Sequence, residues 1–251
     1  MLKVRVIPTL LYKDFGLVKG VGFDSWRHVG NALQAVKVYN MREVDELVFL
    51  DILATAEGRE PDYDTVAELA EDCFMPMTVG GGVRSLEHAR RLLMAGADKV
   101  ALGTAAAETP ALVRQIAGRF GSQCVVVSID FRKRNGTCEV CTHCGSRPAG
   151  FDPVAYARSI EELGAGEILL QSIDRDGTME GYDIDLTRRL CQAVSIPVIA
   201  SGGAGNYEHM AQAVLEGGAS AVAAASMFHF TQCTPLEAKR AMAEKGIAVR
   251  I

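Results

Sequence analysis

Asp130 closes the apolar run Val125-Val126-Val127-Ser128-Ile129, where a carboxylate is too costly to bury unless it faces an open mouth or a partner. Such a group can serve as a general acid or base. It can equally accept hydrogen bonds from loop backbone or cap the turn that follows. Four more charges, Arg5, Glu46, Lys99 and Glu167, each stand at the start of an apolar strand, two acids and two bases able to close a ring. From the residues alone that ring reads as a salt-bridge plug. Glycine carries a third chemistry. Met75-Pro76-Met77-Thr78-Val79-Gly80-Gly81-Gly82, then Glu87-His88, is echoed by Ile196-Pro197-Val198-Ile199-Ala200-Ser201-Gly202-Gly203, then Glu208-His209, at an offset of 208 − 87 = 121 residues. Glycines at the carboxyl end of a strand let backbone N–H groups reach an anion, and the helix that follows adds its partial positive charge. One such turn could be no more than a tight connection. Two of them, half a chain apart, point to two phosphate sites.

These groups need a scaffold that gathers strand ends. Apolar strands are expected at Val4–Leu10, Glu46–Asp51, the first glycine strand, Asp98–Gly103, Cys124–Asp130, Glu167–Gln171, the second glycine strand and Ala219–Ala224. Amphipathic stretches between them predict helices over Asn31–Asn40, Tyr63–Asp72, Leu86–Ala95, Ala111–Phe120, Pro153–Leu163, Leu186–Val194, His209–Glu216 and Pro235–Lys245. Lys13 to Gly30, with glycines at 16, 20, 22 and 30, shows little helical periodicity and is expected to be a long functional loop or lid. A polar insertion at about 132–150 predicts a β-hairpin around Asn135-Gly136. Eight strands, each followed by a helix, read as an α/β chain of the (β/α)8 TIM-barrel class made of duplicated half-barrels, about 1–121 and 122–251, in one domain. The active site of such a barrel lies at the carboxyl ends of its strands.

Strand alternation assigns the inward side chains. Arg5, Ile7, Thr9 and Leu11 share one parity, and so do Cys124, Val126, Ser128 and Asp130. The two strands superpose at an offset of 119, which puts Leu11 where the other half has Asp130. Arg5, Glu46, Lys99 and Glu167 fall on the same inward rows at the opposite end.

Composition bounds the rest. The 251 residues carry a net charge of −5, which leaves no basic footprint for nucleic acid. The start, Met-Leu-Lys-Val-Arg-Val-Ile-Pro, has charges where a leader would be apolar, and no uncharged stretch approaches membrane-spanning length. A cytoplasmic protein is expected, with no membrane contact. Seven cysteines scattered through apparent strands and helices do not form a secreted disulfide framework and read as reduced thiols. Cys138, Cys141 and Cys144 with His143 could ligate zinc. In a regular strand, however, Cys138 and Cys144 face away from Cys141 and His143, and no second ligand pair follows, so no metal is assigned.

Several segments resemble one family over essentially the whole chain. Glu46–Ile52, Thr78–Gly82, Gly96–Val100, Ser128-Ile129-Asp130, Gly164–Leu170 with Ser172–Thr178, and Ala200–Gly205 with Phe228-His229-Phe230 are similar to the cyclase subunit of imidazole glycerol phosphate synthase. The resemblance implies a lyase that works with a glutaminase subunit docked at the amino-terminal face, without a cofactor. Ammonia would travel up the barrel to a phosphorylated small-molecule substrate at the mouth. It makes Arg5, Glu46, Lys99 and Glu167 an ammonia gate and Asp98 a glutaminase contact. Asp130 becomes catalytic, with Lys19 near the reacting substrate; from its residue type alone Lys19 would be a solvated charge. Gly81, Gly82 and Thr104, and Gln171, Asp176, Gly177, Gly202, Gly203, Ala225 and Ser226, become phosphate and substrate contacts. The family pairs two aspartates; here Leu11 replaces one. Gly103, Gln171 and Thr9 stand for an asparagine, a threonine and a cysteine. The first-strand segment Ile7–Leu11 with Gly16–Lys19 further resembles a divergent branch associated with surface-polysaccharide synthesis, which implies a sugar-amidinating enzyme as ammonia acceptor and further partner. Two alternatives stand beside it: the histidine-pathway cyclase itself and a non-catalytic conduit. His88 and His209 read as packing or capping residues.

Overall fold

The computed structural model describes residues 3–251; Met1 and Leu2, part of the charged start considered above, lie outside the described residues. The first half contains β1 (Arg5–Lys13), β2 (Gly16–Val21), β3 (Asp24–Gly30), α1 (Ala32–Met41), β4 (Leu47–Asp51), α2 (Tyr63–Asp72), β5 (Met77–Gly80), α3 (Leu86–Met94), β6 (Lys99–Leu102), α4 (Thr104–Glu108) and α5 (Ala111–Phe120). The second contains β7 (Val125–Arg134), β8 (Thr137–Thr142), β9 (Arg147–Pro148), α6 (Pro153–Glu162), β10 (Glu167–Ser172), α7 (Ile184–Ala193), β11 (Val198–Ser201), α8 (Tyr207–Leu215), β12 (Ala221–Ala224), α9 (Ser226–Phe230) and α10 (Pro235–Glu244).

Eight of these strands pair in parallel in the order β1, β4, β5, β6, β7, β10, β11, β12, and β12 returns to β1. Strands covered on both faces must be apolar throughout, and the runs Val125–Val127 and Ala221–Ala224 are. The inward side chains Ile7, Val48, Ala101, Val126, Leu169, Ile199, Ala221 and Ala223 form a separate apolar layer inside the ring. A larger cluster joins the outer strand faces to the helices.

The duplication recurs in three dimensions. Helices α1, α2 and α3 reappear as α6, α7 and α8 with starts 121 residues later, for example 153 − 32. Their caps match as well: Asn31 and Asp152, Asp62 and Asp183, Ser85 and Asn206 each accept the first free N–H groups of their helix.

The segment expected as a long loop is instead a β-ribbon. Asp14 and Phe15, then Gly22 and Phe23, take left-handed backbone angles that fit two-residue hairpin turns, so β1 runs past the barrel to pair with β2, and β2 with β3. Glycines and charges on β2 and β3 hide the alternation that would have disclosed the strands. The second hairpin, β7 with β8, turns at Asn135-Gly136 as expected. The short helices α4 and α9 have no amphipathic pattern and were not legible. Among the described residues no helix is long and apolar enough to cross a membrane.

Candidate functional site

A cavity of 360 Å³ opens at the carboxyl ends of the barrel strands. Its wall includes Lys19, Gly81, Gly82, Thr104, Asp130, Gln171, Asp176, Gly177, Gly202, Gly203, Ala225 and Ser226, so the fold brings together every mouth residue singled out in the sequence.

The glycine turns form two facing cradles. A Cβ on Gly81 would lie 2.2 Å from the Asp51 carbonyl oxygen, and one on Gly202 would lie 2.5 Å from that of Ser172. Both positions have positive φ, +107° and +86°. Only glycine lets each turn nest against the neighbouring strand end. Beyond the turns stand α4, capped by Gly103, and α9, capped by Ala225; neither has a side-chain cap. Their N-terminal residues Thr104, Ala105 and Ser226 line the cavity, where uncapped N–H groups suit an anion. Ser226 is 5 % exposed and its hydroxyl has no partner. His88 and His209 sit behind the cradles: the His88 Nδ1 lies 3.2 Å from the Gly82 carbonyl oxygen and 3.4 Å from the Arg84 backbone nitrogen, and the His209 Nδ1 is 3.3 Å from the Gly205 backbone nitrogen.

At the mouth two equivalent strand ends differ in polarity. Leu11 is registered with Leu50, whereas at the equivalent place Asp130 is registered with Gln171. The Ser128 hydroxyl donates to Asp130 Oδ1 at 2.8 Å. Asp130 retains some exposure, but only toward the cavity enclosed by the barrel. Loss of solvent, reinforced by the nearby Asp176 charge and opposed by Ser128, raises its carboxyl to about 6. Such a group exchanges protons near neutrality.

Lys19 departs from the solvated charge its residue type suggested. On β2 it is 2 % exposed, and its Nζ donates to both Asp176 oxygens, at 2.7 and 3.0 Å. The Gln171 amide reaches the same carboxylate at 3.4 Å. Gly177, next in the chain, packs where a Cβ would lie 2.2 Å from the Gly20 carbonyl oxygen. The ribbon thus covers the second cradle and delivers Lys19 to it.

Sequence reasoning missed Asp51, whose Oδ1 accepts the N–H groups of Leu53 and Ala54 at 3.0 Å and whose Oδ2 takes Arg59 at 3.1 Å. This fixes the loop whose Thr55 hydroxyl accepts the Gly82 N–H. A carboxylate ending an apolar strand, as in Val48-Phe49-Leu50-Asp51, was the available signal. Phe23, Trp26 and Arg84 on the cavity wall had none. The assumption of a regular strand through Cys144 also fails: β8 ends at Thr142, and His143 and Cys144 turn with φ of 51° and 53°. Both line the mouth. Burial pushes the Cys144 thiol up to about 11, so it is not a thiolate at neutral pH. Among the described residues no group of three or more His, Cys, Asp or Glu side chains is placed to hold a metal.

The barrel floor is closed by charge. Arg5 bridges Glu46 (2.5 Å) and Glu167, while Lys99 bridges the same two acids at 2.8 and 2.9 Å. Thr78 donates to Glu46 at 2.8 Å. Burial opposes the Glu167 charge, but Arg5 and Lys99 overcome it and hold its carboxyl below the usual range. Asp98 is exposed beside this ring and accepts the Met77 N–H through Oδ2.

Comparison with protein-family models matches residues 5–234 to the family described as histidine biosynthesis protein.

Proposed function

The chain belongs to the histidine biosynthesis protein family, whose members are for the most part lyases and isomerases, and from that premise we propose that it is the ammonia-accepting synthase subunit of a glutamine amidotransferase complex. A glutaminase would dock at the amino-terminal face. Exposed Met41, Phe74 and Met94, on the turns and helix ends of that face, offer apolar area beside Asp98. Opening of the Arg5–Glu46–Lys99–Glu167 ring would admit ammonia. The apolar layer above it passes the neutral molecule and rejects ammonium, whose desolvation is far more costly.

At the mouth the two cradles would hold a phosphorylated ligand with its reacting carbon near Asp130. As the ammonia lone pair attacks a carbonyl carbon, the protonated Asp130 gives its proton to the carbonyl oxygen to form a carbinolamine. Its carboxylate then takes a proton from the nitrogen and passes it to the hydroxyl, which leaves as water as the C=N bond forms and a second nitrogen proton returns to Asp130. One observation carries the choice of reaction. Both cradles are intact while the position facing Asp130 across the mouth is Leu11, backed by Leu50. Leucine has no acceptor and no exchangeable proton, so a cyclisation that needs two carboxylates is disfavoured. The specialised branch, in which ammonia ends on a sugar amidine through a partner enzyme, fits one carboxylate.

The test is cyclisation of the bisphosphate ribulosyl substrate of the histidine pathway by the purified chain, with ammonium salt replacing the glutaminase. No turnover, with activity gained in Leu11→Asp, is the expected result. Turnover within about a hundredfold of a two-aspartate enzyme, about 3 kcal/mol in the barrier, would overturn this reading in favour of the histidine-pathway cyclase.

A further inference from the structure

One pair of equivalent side chains on the two halves of the barrel gives a role to a group not yet used. On β7 the Ser128 hydroxyl lies two residues before Asp130, both on the cavity wall, and donates to its Oδ1 at 2.8 Å. On β1 the equivalent pair, 119 residues earlier, is Thr9 and Leu11, again on the cavity wall. Thr9 is 7 % exposed and its Oγ1 has no hydrogen-bond partner. The molecule therefore contains its own comparison. The same inward position carries a hydroxyl in both halves; it is satisfied where the carboxylate is present and orphaned where leucine has replaced it. The layer beneath, with Ile7 and Val126, is apolar, so packing alone would be served by valine, and a buried hydroxyl without a partner costs stability.

We infer that Ser128 is a positioning residue for Asp130, its hydroxyl holding Oδ1 against the barrel wall so that Oδ2 is the oxygen presented to a ligand in the cavity. The inference rests on the reading of Asp130 as the proton-transferring group. The other groups around the carboxylate are Asp176 with its partner Lys19, Cys141 registered opposite on β8, Cys144 beyond it with Asp51 nearby, and Tyr156 on α6. Asp176 disfavours a second negative charge, and the thiols and the phenol remain neutral donors bonded elsewhere or unpartnered. Ser128 is the one side chain found bonded to Asp130 among the described residues. It favours the ionised form and fixes which oxygen is free.

The test is a carbon-13 carboxyl titration of Asp130 in the full chain, assigned with Asp130→Asn, comparing the wild type with Ser128→Ala and Ser128→Thr. Removal of a hydrogen bond to a charged acceptor is expected to raise the Asp130 midpoint by about one pH unit, and threonine to restore it. The acid limb of the ammonia-dependent turnover gained in Leu11→Asp should move by the same amount when Ser128→Ala is added to that variant. An unmoved titration in a folded Ser128→Ala overturns the proposal. A moved titration with an unmoved turnover profile overturns the reading of Asp130 and leaves the hydroxyl–carboxylate pair supported. Should Ser128→Ala fail to fold, the first half supplies the same test. The carboxylate introduced by Leu11→Asp should titrate about one unit lower beside Thr9 than in Leu11→Asp/Thr9→Val, and equal midpoints would overturn the internal comparison.

Discussion

Asp130 combines two properties that pull against each other: it is chemically useful because it is enclosed, and its enclosure destabilises the fold. A carboxyl raised to about 6 from an unfolded value near 4 binds its proton more tightly in the folded state. The cost of keeping it ionised is therefore fully present above pH 6, shrinks as pH falls, and is gone below about pH 4. Asp130→Asn is expected to stabilise the protein at pH 8 by no more than about 3 kcal/mol, less whatever cavity water recovers, and to have no such effect at pH 4. Urea denaturation at the two pH values checks this. The same variant should lose about a hundredfold or more of any proton-transfer-dependent turnover. The position of this carboxylate was legible because an aspartate ends a five-residue run in which four residues are apolar. The Lys19–Asp176 pair was not, since 157 residues separate its members and nothing local couples them.

The floor ring and the glycine cradles each act as units. Glu167 is held below the usual carboxyl range by Arg5 and Lys99, so the stability it contributes is present above its unfolded value near 4 and is lost as pH falls through its lower folded value. Chemical denaturation from pH 7 to pH 3 should show a steep acid limb that Glu167→Gln flattens. At pH 7 that variant should cost about 2–3 kcal/mol, less than a fully buried pair because Arg5 and Lys99 keep some exposure. The cradles give a contrast between two glycines. Gly202→Ala forces a Cβ to within 2.5 Å of the Ser172 carbonyl oxygen at φ +86°, whereas a Cβ at Gly103 meets nothing within 4 Å. Thermal melts should show a loss of more than about 2 kcal/mol for the first and a change within about 0.5 kcal/mol for Gly103→Ala. Titration with inorganic phosphate should show weaker binding for Gly202→Ala alone. The repeated glycine strands were visible as sequence, but the β2–β3 ribbon was not. Three of its four turn residues at positive φ, Asp14, Phe15 and Phe23, are not glycine, so composition signals these turns only weakly.

At the scale of the whole barrel, the proposed chemistry and the proposed docking face occupy opposite ends of the same strands. A Phe74→Asp substitution, at a side chain 86 % exposed on the amino-terminal face, is expected to weaken binding of a cognate glutaminase at least about tenfold while leaving the melting temperature of the isolated chain unchanged. Calorimetric titration and a thermal melt measure the two effects separately. The sequence by itself determined the eight-strand alternation, the duplication at 121 residues and the inward parity that aligns Leu11 with Asp130. Those follow from periodicity, because a strand must alternate at every second residue and a helix must present one face, whatever lies far along the chain. Tertiary structure alone decided that Lys19 is buried against Asp176, that Ser128 holds Asp130 while Thr9 has no counterpart to hold, and that two charged pairs close one floor. Those depend on strands brought together by barrel closure, and a hydrogen bond or ion pair is set by distances that sequence separation does not encode.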